Sequence, residues 1–337
     1  MLTIIIISFV SYLVLALWLW RGWAMLSRFE IAGASVSLSV VVYMRNKASN
    51  IRYLLSDIAS QHYLQELIQV VVVDDHSTDR SAAEVENFAK EHSNVELLRL
   101  PKGKCGKKAA LRLALSHFTG ELVVTTDADT RATPRWLATI AAFYANYYPS
   151  MIICPVMFTP DRSFLGRWQA LKQIKRMGVA AATAAWRRPM ICNGLNLAID
   201  RKVMEQHASV FEHHSASGED IAMMLEIKKN PLNRIFYLKS TGAVISTAPS
   251  SGLKNKIDSR IRRIFQCGAY INFGMIAIAL IVFIANLSVL TCLVAGFFQF
   301  RFLWIGVILI MAKILVDGLF LNSLCRFWKV KLFGHEK

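Results

Sequence analysis

At 337 residues, with 54% of them hydrophobic and a mean hydropathy of +0.38, the chain is too apolar to be a pair of soluble domains. Lys and Arg outnumber Asp and Glu by 39 to 23, a formal net charge of +16, yet the apolar residues gather at the two ends and the basic excess gathers in patches. That arrangement disfavours nucleic-acid binding as the use of the charge. Six cysteines without a Cys-x-x-Cys spacing disfavour a disulfide framework or a zinc site.

In chain order, Met1 to Trp20 carries no charge and then meets Arg21, enough for a bilayer, which needs about 20 apolar residues. The stretch lacks a basic start and ends in Trp18, Trp20 and Arg21, which reads as a retained span with interface anchors rather than a cleaved leader. A linker follows (Ser27–Ser35). Val36–Tyr43 then reads as a strand buried on both faces. Next come a helix (Ile51–His62), a strand (Leu67–Val73), a helix (Ser81–His92), a strand (Val95–Leu100), a helix (Lys107–His117) and a strand (Glu121–Thr126). Strands alternating with helices predict a parallel, doubly wound α/β sheet whose ligands sit beyond the carboxyl ends of the strands. That rule places Asp74, Asp75, Asp127 and Asp129 along one edge.

Beyond Ser150 the pattern is less regular. Met151–Val156 reads as a strand, Phe164–Trp186 as an amphipathic helix, Asn193–Ile199 as a short strand, Ile221–Lys229 as a helix and Ile235–Ile245 as extended. Two basic clusters interleave with apolar residues: Arg162, Arg167, Lys172, Lys175, Arg176, Arg187 and Arg188, then Lys254, Lys256, Arg260, Arg262 and Arg263. Both read as helices on an anionic membrane surface, the second over about Ser251–Gly268. Ile264 to Phe300 contains no charge, so a second span fits within Tyr270–Phe297 and a third within Phe302–Cys325. The basic tail (Arg326, Lys329, Lys331) predicts a cytoplasmic C-terminus and, by parity over three spans, a cytoplasmic middle segment. Lys313 and Asp317 share a helix face in the third span, where their i,i+4 spacing suits a self-neutralising pair.

Four segments carry candidate chemistry. Thr125-Thr126-Asp127-Ala128-Asp129-Thr130 offers two carboxylates at a strand end; period-two alternation sets them on one side, where hard oxygens suit Mg²⁺ or Mn²⁺ bridging a diphosphate. A bare turn is the alternative. Val72-Val73-Asp74-Asp75-His76-Ser77-Thr78-Asp79 puts acids at a strand end, able to accept hydrogen bonds from a base edge, with Asp79 as a helix cap. Lys102-Gly103-Lys104-Cys105-Gly106-Lys107-Lys108 brings lysines to a helix start, where anions are favoured. Ser217-Gly218-Glu219-Asp220 opens a helix with two acids; the helix dipole alone accounts for them, and a carboxylate there can also take a proton from a hydroxyl.

Together these segments, with GKKAAL, CNGLNLAI (Cys192–Ile199) and the ISTAP segment (Ile245–Pro249), resemble the inverting glycosyltransferases of family 2, in that family's order and spacing across Val36 to Arg263. The resemblance implies a GT-A fold, a Rossmann-like nucleotide-binding domain. It implies that Asp75 contacts the base of a nucleoside diphosphate sugar (a UDP-sugar favoured) with Asp74 nearby, that Lys107 or Lys108 approaches the phosphates, and that Asp127 lies near the ribose and metal. It implies that Asp129 ligates the metal, that Asp220 is the catalytic base, and that Asn193, Gly194, Asn196 and Glu219 line the sugar and acceptor site. Two departures stand out. Tyr43-Met44-Arg45-Asn46 replaces the family's usual Pro-containing segment. Ser259-Arg260-Ile261-Arg262-Arg263 stands where processive members carry Gln-x-x-Arg-Trp, keeping only the arginine, Arg262, to meet the diphosphate. With only three spans, this argues against a polysaccharide synthase; a non-catalytic membrane scaffold is the other alternative. The expectation is a single-sugar transferase acting on a lipid or lipid-linked acceptor, in a bacterial inner membrane. It divides into a span (1–22), a cytoplasmic catalytic domain (36–250), an interfacial helix (251–269), two spans (270–325) and a tail (326–337).

Overall fold

The computed structural model describes residues 2–30, 33–159, 163–212, 218–248 and 273–328. The predicted interfacial helix, Arg162, Arg262, Ser217, Pro249 and the basic tail beyond Trp328 lie outside them.

The first half follows the predicted alternation: β1 (Leu38–Met44), α2 (Ile51–Ala59), β2 (Ile68–Asp74), α3 (Ser81–Glu91), β3 (Val95–Arg99), α4 (Gly106–Ala114) and β4 (Leu122–Asp127), after an N-terminal helix α1 (Leu2–Met25). The strands β3-β2-β1-β4 lie side by side and all parallel. Their Val-rich runs are buried on both faces; Val40, Val42, Val71, Val72, Val123 and Val124 have no exposed surface, as expected when helices cover both sides of a sheet. Register does the rest. Met44 pairs with Asp74 and Tyr43 with Asp127, so the acids of two strands come out at one edge.

The second half departs from a simple parallel sheet. After β5 (Thr130–Ala132) and α5 (Trp136–Tyr147), the predicted strand 151–156 is two strands, β6 (Met151–Ile153) and β7 (Val156–Phe158), separated at Cys154-Pro155. Pro155 has no N–H to give to a ladder, and its carbonyl accepts instead from Ile245 and from the Asn196 side chain. The helix α6 (Phe164–Ala185) is followed by β8 (Leu197–Asp200), α7 (Arg201–Gln206), α8 (Glu219–Lys229), β9 (Ile235–Tyr237) and β10 (Ile245–Thr247). β8 runs antiparallel to both β4 and β6, while β9 is parallel to β6. β10 joins β5 and β7 in a second, three-stranded sheet.

Two further helices, α9 (Phe273–Gly296) and α10 (Phe300–Trp328), complete the described chain. With α1, they are three helices long and apolar enough to cross a membrane. α1 is fastened to the domain at its C-terminal end. Trp18 stacks on Trp186 at 5.9 Å, and the Trp186 indole donates to the Trp18 carbonyl at 3.0 Å. The Lys239 ammonium donates to the carbonyls of Trp23 and Leu26, capping the end of α1, where carbonyls are unpaired and a cation is favoured. Gly22 permits this approach, because a Cβ there would sit 2.7 Å from both the Ala182 carbonyl oxygen and the Trp186 Nε1. Gly22→Val should therefore lower stability by about 1–3 kcal/mol, the usual cost of overpacking. A thermal denaturation curve in detergent would show it, and an unchanged midpoint would mean that α1 is not held in this way. The Lys313–Asp317 pair forms, at 3.4 Å, and gains Tyr12 and Lys175 as partners of Asp317.

Candidate active site

At the carboxyl edge of β1, β2 and β4, four loops meet. Asp75 is fully buried. Its Oδ2 accepts from the Tyr43 hydroxyl at 2.7 Å and the Gly106 amide at 3.0 Å, with the Arg45 guanidinium at 3.5 Å. Its Oδ1 is buried with no hydrogen-bond partner among the described residues, and so is Oδ1 of Asp74. Gly106 opens α4 with φ +87°, a left-handed conformation that a Cβ would strain. An unpaired buried carboxylate oxygen is costly, so Asp75 suits a ligand that brings a donor. Asp74 turns its Oδ2 to the Ser77 amide at 3.3 Å. Asp79, expected as the cap of α3, lies one residue ahead of the cap position, Arg80, and its carboxylate accepts from the amides of Ser81 and Ala48.

The next two acids part company. β4 ends at Asp127, and Ala128 and Asp129 form a turn, so strand alternation stops applying between them. Lys107 Nζ lies 2.5 Å from Asp127 Oδ1, whereas Asp129 Oδ2 lies 2.5 Å from Lys47 Nζ. The turn is tied down by Thr130, whose hydroxyl donates to the Asp127 carbonyl at 2.9 Å, and by Thr247, whose hydroxyl donates to the Asp129 carbonyl at 3.2 Å.

Gly194 is the meeting point. Its carbonyl accepts from Lys107 Nζ at 2.7 Å and Thr125 Oγ1 at 3.1 Å, and its amide donates to Asp220 Oδ2 at 2.9 Å. Burial works against the Lys107 ammonium, but the carboxylates of Asp127, Glu219 and Asp220 outweigh it and hold the lysine above its ordinary pKa. Burial pushes the neighbouring Lys108 below the usual lysine value. Glu219, first residue of α8, has its carboxyl raised by burial and then by the charge of Asp220. A carboxyl raised on folding stabilises below its unfolded value of about 4.5 and loses that contribution as pH rises through the folded value. Glu219→Gln should accordingly raise the melting temperature at pH 7.5, with the gain shrinking as the pH falls toward about 4.5. Denaturation curves of both forms across that range would reveal a gain of the opposite trend.

Sequence reasoning sets Asn196 in the acceptor site; the structure puts its side chain underneath. Asn196 is fully buried. Its amide nitrogen donates to the carbonyls of Pro155 and Ala243, and its oxygen accepts from the Trp136 indole at 2.9 Å. With those bonds made, it holds the turn in place. Asn193 Oδ1 accepts from the Leu195 amide at 3.2 Å. The sequence alone does not single out Lys47, Tyr43 or Arg45 as site residues. Its one hint is the unusual Tyr43-Met44-Arg45-Asn46 segment at the end of β1.

A family model described as Glycosyl transferase family 2 matches residues 39–207, about half of the chain. The chain belongs to glycosyl transferase family 2. Its mixed α/β sheet is the Rossmann-like GT-A fold. A mannosyltransferase of Pyrobaculum calidifontis, solved with GDP-Man and Mn²⁺, superposes with a TM-score of 0.56 at 21% identity, covering 98% of this chain and 100% of that one. Among curated relatives, a dolichyl-phosphate beta-glucosyltransferase of Trichomonas vaginalis is 36% identical over 104 residues, 28% of this chain and 31% of that protein. A beta-monoglucosyldiacylglycerol synthase of Nostoc is 27% identical over 116 residues, 34% of this chain and 25% of that protein. The alignments thus span less than a third of those relatives' own length.

In this family 2 chain, no three His, Cys, Asp or Glu side chains converge on a metal position among the described residues. The Asp129 carboxylate is 34% exposed, and its hard oxygens are of the kind that suit Mg²⁺ or Mn²⁺ when the remaining ligands are diphosphate oxygens and water.

Proposed function

We propose that this chain is an inverting glycosyltransferase that moves one sugar from a nucleoside diphosphate sugar, a UDP-sugar first, to a lipid or lipid-linked acceptor at the cytoplasmic face of a membrane. The observation that carries it is the convergence at Gly194. Its backbone ties the acid at the start of α8 to the lysine and acid at the carboxyl edge of the parallel strands. Residues 36–250 are the catalytic unit in this reading, and 1–22 and 270–325 anchor it. The lipid acceptor is supported by the three long apolar helices and by relatives named for dolichyl phosphate and diacylglycerol. A bacterial inner membrane is the setting it expects.

Asp75, with Asp74 beside it, receives the base through the unpaired Oδ1, and Lys107 meets the phosphates. Asp129, with Asp127, would hold Mg²⁺ or Mn²⁺. Such an ion neutralises charge on the departing diphosphate. Asp220 takes the proton from the acceptor hydroxyl as that oxygen attacks the anomeric carbon opposite the leaving group, and a single displacement inverts the centre. The lysines and the start of α4 stabilise the negative charge that develops.

The test uses the full chain in detergent. A matching nucleotide sugar with Mn²⁺ should raise the melting temperature, since a ligand that binds only the folded form stabilises it. Incubation with radiolabelled donor and polyprenyl phosphate or diacylglycerol vesicles should yield a lipid carrying one sugar. A ladder of longer products would make it a synthase, and no metal-dependent release of nucleoside diphosphate would make it a scaffold.

A further inference from the structure

Lys47 sits in the loop between β1 and α2, its backbone held by the loop and its ammonium held by Asp129 alone among the side chains described. Asn46, at φ +51°, donates its amide to Ser77 Oγ at 2.9 Å, and its side-chain oxygen accepts from the Thr78 amide at 2.8 Å. The Lys47 amide donates to Ser81 Oγ at 2.7 Å, and its carbonyl accepts from the amides of Asn50 and Ile51 at the start of α2. From this clamped backbone the side chain reaches across to Asp129, and the ion pair leaves the two side chains 37% and 34% exposed. With that much of it open to solvent, a long stem with free rotamers can swing the ammonium a few ångströms at little cost.

The electrostatic consequence follows from how the acids are paired. Asp127 at the end of β4 and Asp129 in the turn after it each have a lysine, Asp127 with Lys107 and Asp129 with Lys47. A divalent cation arriving alone meets two neutralised carboxylates rather than a doubly negative pair, and must first displace an ammonium. A cation arriving on a diphosphate brings a new partner for the displaced lysine.

We propose that Lys47 is a resident cation on Asp129 that keeps free metal out and passes to the donor's diphosphate when metal and donor enter together. This rests on the reading of Asp129 as a metal ligand. It makes Lys47 a positioning residue of the donor site and makes metal uptake nucleotide-dependent. In the resting form Lys47 holds the carboxylate. In the loaded form Asp129 faces the metal, and Lys47, one arm's length away, lies against phosphate oxygens carrying the opposite charge.

Mn²⁺ binding to the full chain, followed by electron paramagnetic resonance with and without UDP or GDP, tests this without turnover. Lys47→Met keeps the apolar stem and removes the charge. It should bind Mn²⁺ alone about twofold to fivefold more tightly than the wild type, the scale of releasing one partly exposed ion pair. The donor KM at saturating Mn²⁺ should rise. Lys47→Arg keeps the charge and should bind Mn²⁺ alone as weakly as the wild type. Equal Mn²⁺ affinity of wild type and Lys47→Met would overturn the proposal; if Asp129→Ala still abolished nucleotide-dependent Mn²⁺ uptake, the metal-site reading would stand. Failure of every form to take up Mn²⁺, even with nucleotide, would sink both.

Discussion

Asp220→Asn should lower kcat about a thousandfold, within the range of about 10²–10⁴ that a positioned general base contributes, while leaving donor binding nearly intact. Asn keeps the shape and one acceptor oxygen, so the hydrogen bond from the Gly194 amide, 2.9 Å in the wild type, survives. What is lost is the ability to take a proton. The control is Glu219→Gln, one residue away at the start of α8, whose loss of kcat should stay within about tenfold because Asp220 still carries the proton transfer. Single-turnover kinetics alongside a donor-induced melting shift would separate the two effects. A fall in kcat below tenfold for Asp220→Asn, or an equal fall for Glu219→Gln, would move the base elsewhere.

Asp129→Ala should cost about 10³ in kcat/KM, the loss expected when charge stabilisation of the leaving group is removed, and raising Mn²⁺ should not restore it. The fold should scarcely notice. Asp129 and its partner Lys47 are both about one-third exposed, and a pair of that kind contributes at most about 1 kcal/mol. A large kinetic loss beside a melting temperature shifted by only a few degrees is the signature of a ligand site rather than a structural prop. Activity that tolerated the substitution would remove Asp129 from the site.

The first four strands are legible because their information is local. Val40–Val42, Val70–Val73 and Leu122–Val124 are uninterrupted apolar runs, and the helices between them carry ordinary periodicity. The second half is not, because its pairing is non-local. Nothing inside Leu197–Asp200 says that it will lie antiparallel to β4, and the short runs around Cys154-Pro155 separate only once two different sheets compete for them. In the candidate site the acids are visible as types at strand ends. Their partners are not. Lys47 looks like any solvated loop lysine until α2 and the 77–81 loop fix its backbone. Asn196 is expected in the site only through the family resemblance, whereas its side chain is buried and committed to three hydrogen bonds.

The joint at Gly194 has a practical consequence. The link from Asp220 to Lys107 passes through one peptide unit on either side of a residue with no side chain, so surveys that trim residues to alanine are blind to it. Even Gly194→Ala chiefly reports crowding, since the added Cβ would lie 3.3 Å from that of Asp220. Exchanging the 193–194 amide for an ester removes the N–H that Asp220 accepts from, and because it also weakens the Asn193 carbonyl that accepts from the Asn196 amide, an ester at 195–196 that deletes the Asn196 donor is its control.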